Sequence, residues 1–498
     1  MAPKRTLRRH SFFDAPALLA FLDDGLGPGK RDTAERHRRT IQAAAVAAAD
    51  RGAETVDLSV AAVPNLPAFA RERLPEAFAL LTSSVDSVST SGDSTTTKFV
   101  VRLQDGHRIE SVLMRHDGGR NTLCVSSQVG CKMGCTFCAT GTLGELGNLT
   151  AGEILEQLAH ARAYVAAERR RKRDGAATES ETETETESRA SAAAAVTNVV
   201  FMGMGEPLNN YDAVCAAIGP MSDARGFGLA PSRVTVSTVG VVPKMLALAE
   251  HHPETRLALS LHAPTQALRE KIVPTATAYP LPKIMAALDA YLAAGARART
   301  RAMIEYCVLG GVNDREVHAR QLGELLRGRD VIVNLIPFNP TDTPMGHTPP
   351  TREAVQAMAA VLAGAEFGLR TTVRKEMGQD IAGACGQLAL DARGGKRAPS
   401  GDLEDLGGTV GNDIAGVKAV TRKAKKGSIV SGLVERGRAD AACDATTTKK
   451  YPRGVALAVA ALSAAATVSA VALVLAAAWK LTAHAGWVAG PSRRLAEP

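Results

Sequence analysis

The chain has 498 residues, a net charge of +8 and eight cysteines, and only 4% of its residues are aromatic. This length predicts about three domains, and so few cysteines in so long a chain exclude a secreted disulfide framework. The positive charge favours an anionic partner such as nucleic acid, while the scarcity of aromatic residues argues against a broad base-stacking surface. Contacts with nucleic acid are therefore expected to involve mainly phosphate groups.

The first part of the chain, residues 1–97, is predicted to be a small helical domain followed by a linker. Its basic start has no acidic residue before Asp14, which is typical of an organelle-targeting presequence, of an RNA-facing basic arm or of a solvated terminus. Apolar residues recur at helical spacing over residues 12–81, with a break at residues 25–29. Residues 83–97 are rich in serine and threonine and are interpreted as the linker.

A hairpin and a partial barrel are predicted for residues 98–388. Asp105 and Gly106 separate two segments of alternating polarity, which is a hairpin signal. Beyond the hairpin, six β-type segments alternate with helical segments, which indicates an α/β fold with parallel strands in a partial (β/α)6 barrel of the TIM type. The predicted strands are residues 123–126, 198–202, 233–237, 257–261, 303–308 and 331–336.

Several segments fall outside this pattern. Thr150 and Glu153 form a predicted capping box, and the helix that they start leads into residues 170–194, whose alternating glutamate and threonine predict a low-complexity surface insertion. Residues 389–453 are predicted to be a flexible basic tail. Residues 454–479 carry no charge and are long enough to cross a bilayer core of roughly 30 Å, so they form a candidate transmembrane helix before a tail at 480–498. An alanine-rich tail outside the membrane is the equal alternative.

Three cysteines lie in one short loop, Cys131-Lys-Met-Gly-Cys135-Thr-Phe-Cys138. Three thiolates can ligate three irons of a 4Fe-4S cluster and leave the fourth iron open to a small molecule. A structural zinc site needs four ligands, and His116 is the nearby candidate for the fourth, although its spacing is poor. The loop therefore predicts an iron-sulfur site, with zinc as the alternative.

Polar residues follow the predicted strands, at the ends where βα barrels place their active sites. The segment Gly203-Met-Gly205-Glu206-Pro207 lacks the third glycine of a dinucleotide-binding loop and instead offers a carbonyl group and a carboxylate to an amine. Taken singly, the other strand-end groups are more often turns or caps than ligand contacts. They are Ser237 after the third strand, Ser260, Leu261 and His262 after the fourth, and Asn339 after the sixth.

These motifs together resemble the RlmN/Cfr family of radical S-adenosylmethionine (SAM) enzymes, the RNA adenine methyltransferases, over residues 98–388. The resemblance implies a 4Fe-4S cluster held by Cys131, Cys135 and Cys138, with SAM on the open iron. The motifs that carry it, besides the cysteine loop, are Thr122-Leu-Cys124, Met202-Gly-Met-Gly-Glu-Pro-Leu-Asn209, Ser260-Leu-His-Ala-Pro264, Gly311-Val-Asn-Asp314 and Asp380-Ile-Ala-Gly-Ala-Cys385-Gly-Gln-Leu388. The implied SAM contacts are Gly205, Glu206, Ser237, Ser260, Leu261, His262 and Asn339.

The resemblance also implies a reaction. Cys385 takes a methyl group from one SAM, a radical made from a second SAM activates it, and the carbon joins adenine at carbon 2, with carbon 8 as the alternative. Cys124 then releases the product by forming a disulfide with Cys385, and Glu110, one residue off the family spacing, lies beside the base. The implied partners are large-subunit rRNA, also tRNA, and an electron donor such as ferredoxin or flavodoxin. The implied protein is a monomer of the cytoplasm or of an organelle, chloroplast or mitochondrion.

Two other functions stay open. The first is a non-catalytic RNA-binding or ribosome-assembly factor on the same fold, against which the intact cysteines and Glu206 argue. The second is a radical SAM enzyme that acts on a small metabolite. The pair formed by Cys124 and Cys385 distinguishes the methyltransferase from this second alternative, because the cluster and the barrel are shared by both.

Overall fold

A ten-stranded sheet organises the computed structural model, which describes residues 3–176, 196–296, 301–341 and 343–388. The predicted tail at 389–453, the candidate transmembrane helix at 454–479 and the last segment at 480–498 lie outside the described residues. Within the described ranges, no helix is both long and apolar enough to cross a membrane.

The helices of the described part are numbered here in chain order. They are α1 (Ala15–Leu26), α2 (Arg31–Arg51), α3 (Ala68–Ala77), α4 (Ala151–Ala176), α5 (Tyr211–Ser222), α6 (Val242–His251), α7 (Gln266–Ile272), α8 (Leu281–Gly295), α9 (Glu316–Leu326) and α10 (Arg352–Ala363).

The strands of the described part are numbered in the same way. They are β1 (His10–Ser11), β2 (Phe78–Ala79), β3 (Ser84–Thr90), β4 (Thr96–Arg102), β5 (Arg108–Arg115), β6 (Asn121–Cys124), β7 (Gln128–Cys131), β8 (Gly144–Asn148), β9 (Asn198–Phe201), β10 (Val234–Thr238), β11 (Arg256–Ser260), β12 (Ala302–Val308), β13 (Val331–Pro337) and β14 (Arg370–Val373).

The main sheet has the order β14-β13-β12-β11-β10-β9-β6-β5-β4-β3. In this sheet β6, β9, β10, β11, β12, β13 and β14 pair in parallel, while β3, β4 and β5 add an antiparallel meander to the edge at β6. A separate two-stranded antiparallel sheet contains β7 and β8. The predicted hairpin and the six predicted parallel strands are therefore present. The structure adds a seventh parallel strand, β14, which the sequence analysis did not predict.

The sheet curves, as a partial barrel requires. A flat sheet would separate β14 from β5 by seven strand spacings, or roughly 34 Å. Arg374, directly after β14, nevertheless reaches Met114 on β5, with 3.8 Å between its Nη2 and the methionine sulfur. The two ends of the parallel array therefore face each other across a common interior.

The amino-terminal helices share a core with the barrel. Asp14 caps α1 by accepting a hydrogen bond from the Ala17 N–H, and Leu18 and Leu22 on that helix are buried. These leucines belong to the same apolar cluster as the barrel strands. In the basic start of the chain, the Arg5 guanidinium is buried against Glu153 and Asp105, so this residue is part of the fold rather than of a solvated arm.

The interpretation of residues 83–97 as a linker is wrong. Ser84–Thr90 forms β3, which pairs with β4 along its whole length. Its side chains are almost all exposed, because β3 is an edge strand held by backbone hydrogen bonds rather than by an apolar face. Such a strand has the polar composition of a linker, which explains the error.

The predicted capping box at the start of α4 is confirmed. The Thr150 hydroxyl accepts from the Glu153 N–H at 3.1 Å, and the Glu153 carboxylate accepts from the Thr150 N–H at 2.9 Å. The helix then continues to Ala176, seven residues into the predicted low-complexity insertion, and residues 177–195 lie outside the described part.

Candidate active site

The three cysteines of the predicted iron-sulfur loop are brought together beyond the carboxyl end of β6. Cys131 ends β7, and Cys135 and Cys138 follow it around a tight turn in which the Cys138 N–H donates to the Cys135 carbonyl at 3.1 Å. All three are free and partly exposed. The loop rests on α7 through the Thr136 N–H, which donates to the Ile272 carbonyl at 2.9 Å.

The pKa values of these thiols indicate that the three sulfurs lie close to one another. Burial raises the pKa of Cys131 to about 12 and that of Cys135 well above its usual range, and the charge of each neighbouring thiolate adds to the shift. The three sulfurs therefore lie close enough to repel one another when ionised, and a cationic centre would release their protons. The residues present thus fit a 4Fe-4S cluster.

The zinc alternative has no support. His116 follows β5 at the amino end of β6, whereas the cysteine loop follows the carboxyl end of that strand.

Gly205 and Glu206 lie in the turn after β9. Gly205 has a φ of +104°, and a Cβ there would come within 2.6 Å of the Gln128 Cβ. Glu206 is buried, and its two carboxylate oxygens accept from the Val239 N–H at 2.9 Å and the Leu208 N–H at 3.0 Å. Burial raises the pKa of Glu206, and the two N–H groups oppose the shift. The Thr238 side chain provides a third hydrogen bond, which leaves the carboxylate one acceptor position for an ammonium group.

The predicted serine and leucine contacts converge next to this turn. The hydroxyl groups of Ser237 on β10 and Ser260 on β11 are 3.1 Å apart. Leu261 is fully buried and donates its N–H to the Glu305 carbonyl at 3.0 Å. The ends of β10 and β11 therefore present hydroxyl groups to the same side as Glu206.

His262 is held in one orientation by the strand beside it. Its Nδ1 accepts from the Cys307 N–H at 3.0 Å, and its carbonyl accepts from the Asn313 amide at 2.8 Å. Burial lowers the pKa of His262 to about 3, so the ring is neutral at physiological pH and carries its proton on Nε2. The ring packs edge-on against Phe137 of the cysteine loop, with 4.7 Å between centroids.

The Cys385 turn is fastened to the cysteine loop. The Ala139 N–H donates to the Gly386 carbonyl at 2.8 Å, and the Thr140 hydroxyl donates to the Leu388 carbonyl at 2.5 Å. On the other side, Asn339 donates from its amide to the Cys385 carbonyl at 3.0 Å. The predicted methyl carrier therefore lies beside the predicted cluster ligands and a predicted SAM contact.

Cys124 and Cys385 share an electrostatic environment although they are far apart in the chain. Burial raises the pKa of the Cys124 thiol to about 12, a Cys385 thiolate would raise it further, and the Arg374 guanidinium opposes both effects. Cys385 is exposed, yet the surrounding protein also raises the pKa of its thiol, again against Arg374. The structure thus brings together the two thiols and one cation.

Glu110 lies on β5, the strand next to that of Cys124, and is linked to the Cys385 turn through Lys98. It lies two residues before Val112, which pairs with Cys124. Its carboxylate forms a buried ion pair with Lys98 at 3.1 Å, and Lys98 also donates to the Ala382 carbonyl at 3.3 Å, three residues before Cys385.

Three charged residues of this interior were not predicted from the sequence. Arg374 acts on both thiols, and Glu305 on β12 is buried beside Arg374 with one oxygen bonded to the Asn334 amide at 3.0 Å. Arg269 on α7 is buried against strand-end carbonyls. None of the three lies in a motif quoted above, so only their three-dimensional surroundings reveal them.

Known proteins with similar sequences point to the same cofactor site. Residues 125–322 match the Radical SAM superfamily. A probable dual-specificity RNA methyltransferase RlmN 2 of Opitutus terrae is 44% identical over 337 residues, which cover 66% of this chain and 77% of the relative. The chain belongs to the RlmN family of radical SAM methyltransferases. The family resemblance predicted from the motifs is therefore confirmed.

Two further relatives support the RlmN assignment. A probable dual-specificity RNA methyltransferase RlmN of Desulforudis audaxviator is 42% identical over 333 residues, covering 66% of this chain and 93% of the relative. A crystal structure of a radical SAM methyltransferase from Sphaerobacter thermophilus superposes with a TM-score of 0.60 at 34% identity, covering 77% of this chain and 99% of that one. As in other radical SAM enzymes, the cofactors of this RlmN-family chain are a 4Fe-4S cluster and SAM.

Proposed function

We propose that this chain methylates carbon 2 of an adenosine in large-subunit rRNA, and also in tRNA, through a methylated Cys385. This chain aligns with most of the length of two relatives that are named probable dual-specificity RNA methyltransferases, which supports an RNA substrate. The observation that carries the proposal is the convergence of Cys124, Cys385 and Arg374. Cleavage of SAM alone does not need a pair of thiols.

Cys385 is proposed to accept the methyl group by displacement at its sulfur. The thiolate is the nucleophile in such a step, and burial in this site disfavours the thiolate. Arg374 offsets part of that cost, because its positive charge lowers the pKa of Cys385. The exposed position of Cys385 gives SAM access to the sulfur.

Glu206, Ser237 and Ser260 are proposed to bind and orient SAM, with neutral His262 donating a hydrogen bond from Nε2. Cys131, Cys135 and Cys138 would hold the cluster, which would supply the electron for reductive cleavage of the second SAM. Phe137 of the cysteine loop and Phe338 belong to one buried apolar cluster against which Cys135 and Cys138 pack, and this cluster excludes water from that side of the site.

Cys124 is proposed to free the product by attacking the Cys385 sulfur: the disulfide forms, the sulfur–carbon bond breaks, and the carbon leaves with the electron pair and takes up a proton to become the methyl group of the adenosine. Its pKa of about 12 keeps the thiol protonated until this step, and Arg374 favours the thiolate when the proton leaves. Glu110, held by Lys98, is proposed to lie beside the base. The resulting disulfide needs reduction before the next turnover.

We place the enzyme in the cytoplasm or an organelle, as a monomer that receives electrons from ferredoxin or flavodoxin.

Paired cysteine variants test this scheme, because the two thiols must fail differently. Cys385→Ala is expected to retain its iron and bind SAM but to transfer no methyl group. Cys124→Ala is expected to methylate Cys385, add the carbon to the base and then stall. The measurement is denaturing gel electrophoresis of each anaerobically reconstituted variant after incubation with rRNA and tRNA fragments.

The expected result is a ribonuclease-sensitive covalent protein-RNA species with Cys124→Ala alone. Cys307→Ala is the matched control, since that buried cysteine has no proposed role in transfer, and it should turn over without an adduct. Wild-type turnover by Cys124→Ala would refute the scheme. An adduct with Cys385→Ala would show that another thiol carries the methyl group.

A further inference from the structure

A buried arginine lies between the proposed SAM site and the cysteine loop. Arg269 on α7 is 1% exposed, and its guanidinium donates to the carbonyl groups of Leu261 at 3.1 Å and Ser260 at 3.4 Å. It also donates to the Val239 carbonyl. These three carbonyl groups end β10 and β11, so a single side chain fixes two neighbouring strand ends.

The partners of this guanidinium are carbonyl groups rather than carboxylates. A buried charge without a counter-ion at contact distance costs several kcal/mol, even when hydrogen bonds satisfy its donors. Consistent with that cost, burial lowers the pKa of Arg269 to about 10. The fold therefore retains a destabilising charge in its interior, which requires a compensating interaction.

The negative charges that act on Arg269 belong to the site itself. Cys135, when ionised as a cluster ligand, and the ionised Glu206 carboxylate would attract Arg269 electrostatically. Glu206 and Arg269 also bind the backbone of the same residue. The Val239 N–H donates to Glu206 at 2.9 Å, and the Val239 carbonyl accepts from Arg269. The helix that carries Arg269 contacts the cysteine loop between Thr136 and Ile272.

We propose that Arg269 is the internal counter-ion of the iron-sulfur cluster and, through the same side chain, a positioning residue for SAM. Its charge stabilises the more negative, reduced state of the cluster and so raises the reduction potential. Its planar fork holds the Ser260 and Leu261 backbone where SAM binds. The proposal rests on the cofactors of the family and is independent of which RNA is the substrate.

Two substitutions separate the charge from the fork. Arg269→Met removes both and is expected to lower the midpoint potential, measured by an EPR-monitored redox titration of the reconstituted protein. Arg269→Lys keeps the charge but loses the fork geometry. It is expected to keep a potential near the wild-type value while the SAM affinity, measured by calorimetry, falls roughly 10- to 100-fold.

The matched control is Arg329→Met. Arg329 forms a surface ion pair with Asp289 at 2.6 Å, and its removal should change neither potential nor SAM affinity. A wild-type potential in Arg269→Met would overturn the counter-ion assignment, as would loss of iron from folded Arg269→Lys. A wild-type SAM affinity in Arg269→Lys would overturn the positioning role.

Urea unfolding of the apoproteins covers the case in which Arg269→Met holds no iron. For this purpose the variant is Arg269→Gln, which removes the charge but keeps an amide donor for the strand-end carbonyl groups; its apoprotein is expected to be at least as stable as wild-type apoprotein. Strong destabilisation would show that Arg269 is a structural clamp and refute the counter-ion role. RNA is absent from all these measurements, so their failure is distinct from failure of the methylation scheme.

Discussion

Substitution of Gly205 by alanine tests whether the turn after β9 sets SAM affinity. With φ at +104°, an alanine there adopts a backbone conformation that costs about 1–2 kcal/mol. Its Cβ would also come within 2.6 Å of the Gln128 Cβ and 2.8 Å of the Gln128 nitrogen. Such overpacking costs about 1–3 kcal/mol, so we expect Gly205→Ala to lower the free energy of unfolding by about 2–5 kcal/mol.

Gln128 has no room to relieve this contact. It is fully buried, its amide donates to Glu145 and Asn148 at 2.7 Å each, and its Oε1 accepts from the Glu206 N–H at 2.8 Å. Displacement of Gln128 therefore displaces Glu206 as well. We expect the SAM affinity of reconstituted Gly205→Ala to fall at least tenfold, since a misplaced carboxylate loses a charge-assisted hydrogen bond worth about 1.5–3 kcal/mol.

Gly328→Ala is the matched control. Gly328 also has a positive φ, +78°, but a Cβ there meets no atom within 4 Å. This variant should lose only the backbone cost of about 1–2 kcal/mol and bind SAM normally. Urea unfolding followed by circular dichroism measures the stability, and calorimetry measures SAM binding. Equal stability losses together with wild-type SAM affinity in Gly205→Ala would refute the reasoning.

Two further predictions concern the cysteine loop and the pH dependence of stability. Cys131→Ala should lose the iron that reconstituted wild-type protein binds, about four atoms per chain, together with the broad visible absorption of the cluster; full iron content in this variant would contradict the ligand assignment. Burial lowers the pKa of His160 to about 4, so the unfolded chain binds a proton at this residue below its ordinary pKa of 6.5 while the folded chain does not. Stability should therefore fall as the pH drops from about 6.5 to about 4, and His160→Gln should lose less stability than wild type between pH 7 and pH 5 in urea unfolding. An identical pH dependence in the two proteins would count against this role of His160.

Much of the barrel was predictable because its parallel strands are buried on both faces. The predicted strand at residues 303–308 corresponds to Ala302–Val308, and that at 331–336 corresponds to Val331–Pro337. Continuous apolar segments between helical segments give a strong signal for such strands. The signal disappears at the edges. Ser84–Thr90 and Arg370–Val373 end the sheet on either side with mostly exposed side chains, so their sequences resemble connections.

The candidate site was predictable where its chemistry is local in sequence. Cys131, Cys135 and Cys138 are close in the chain, and the turns that carry Glu206 and Cys385 have family motifs. Arg269 gives no such signal, because in a short helix containing Arg, Glu and Lys it has the pattern of a solvated face. Its burial depends on carbonyl groups from two strands that meet only in the folded protein.

If Cys124 and Cys385 act as proposed, their positions show which of the two must move during the reaction. Cys124 ends β6, pairs with Val112 on one side and Val200 on the other, and is buried. Cys385 is exposed in a turn between two residues with positive φ, Ala382 and Gly386. Its sulfur must meet SAM, then the base, then Cys124. Because displacing Cys124 would break the central sheet, the Cys385 turn has to move between these partners, while its contacts with the cysteine loop keep it within reach of SAM.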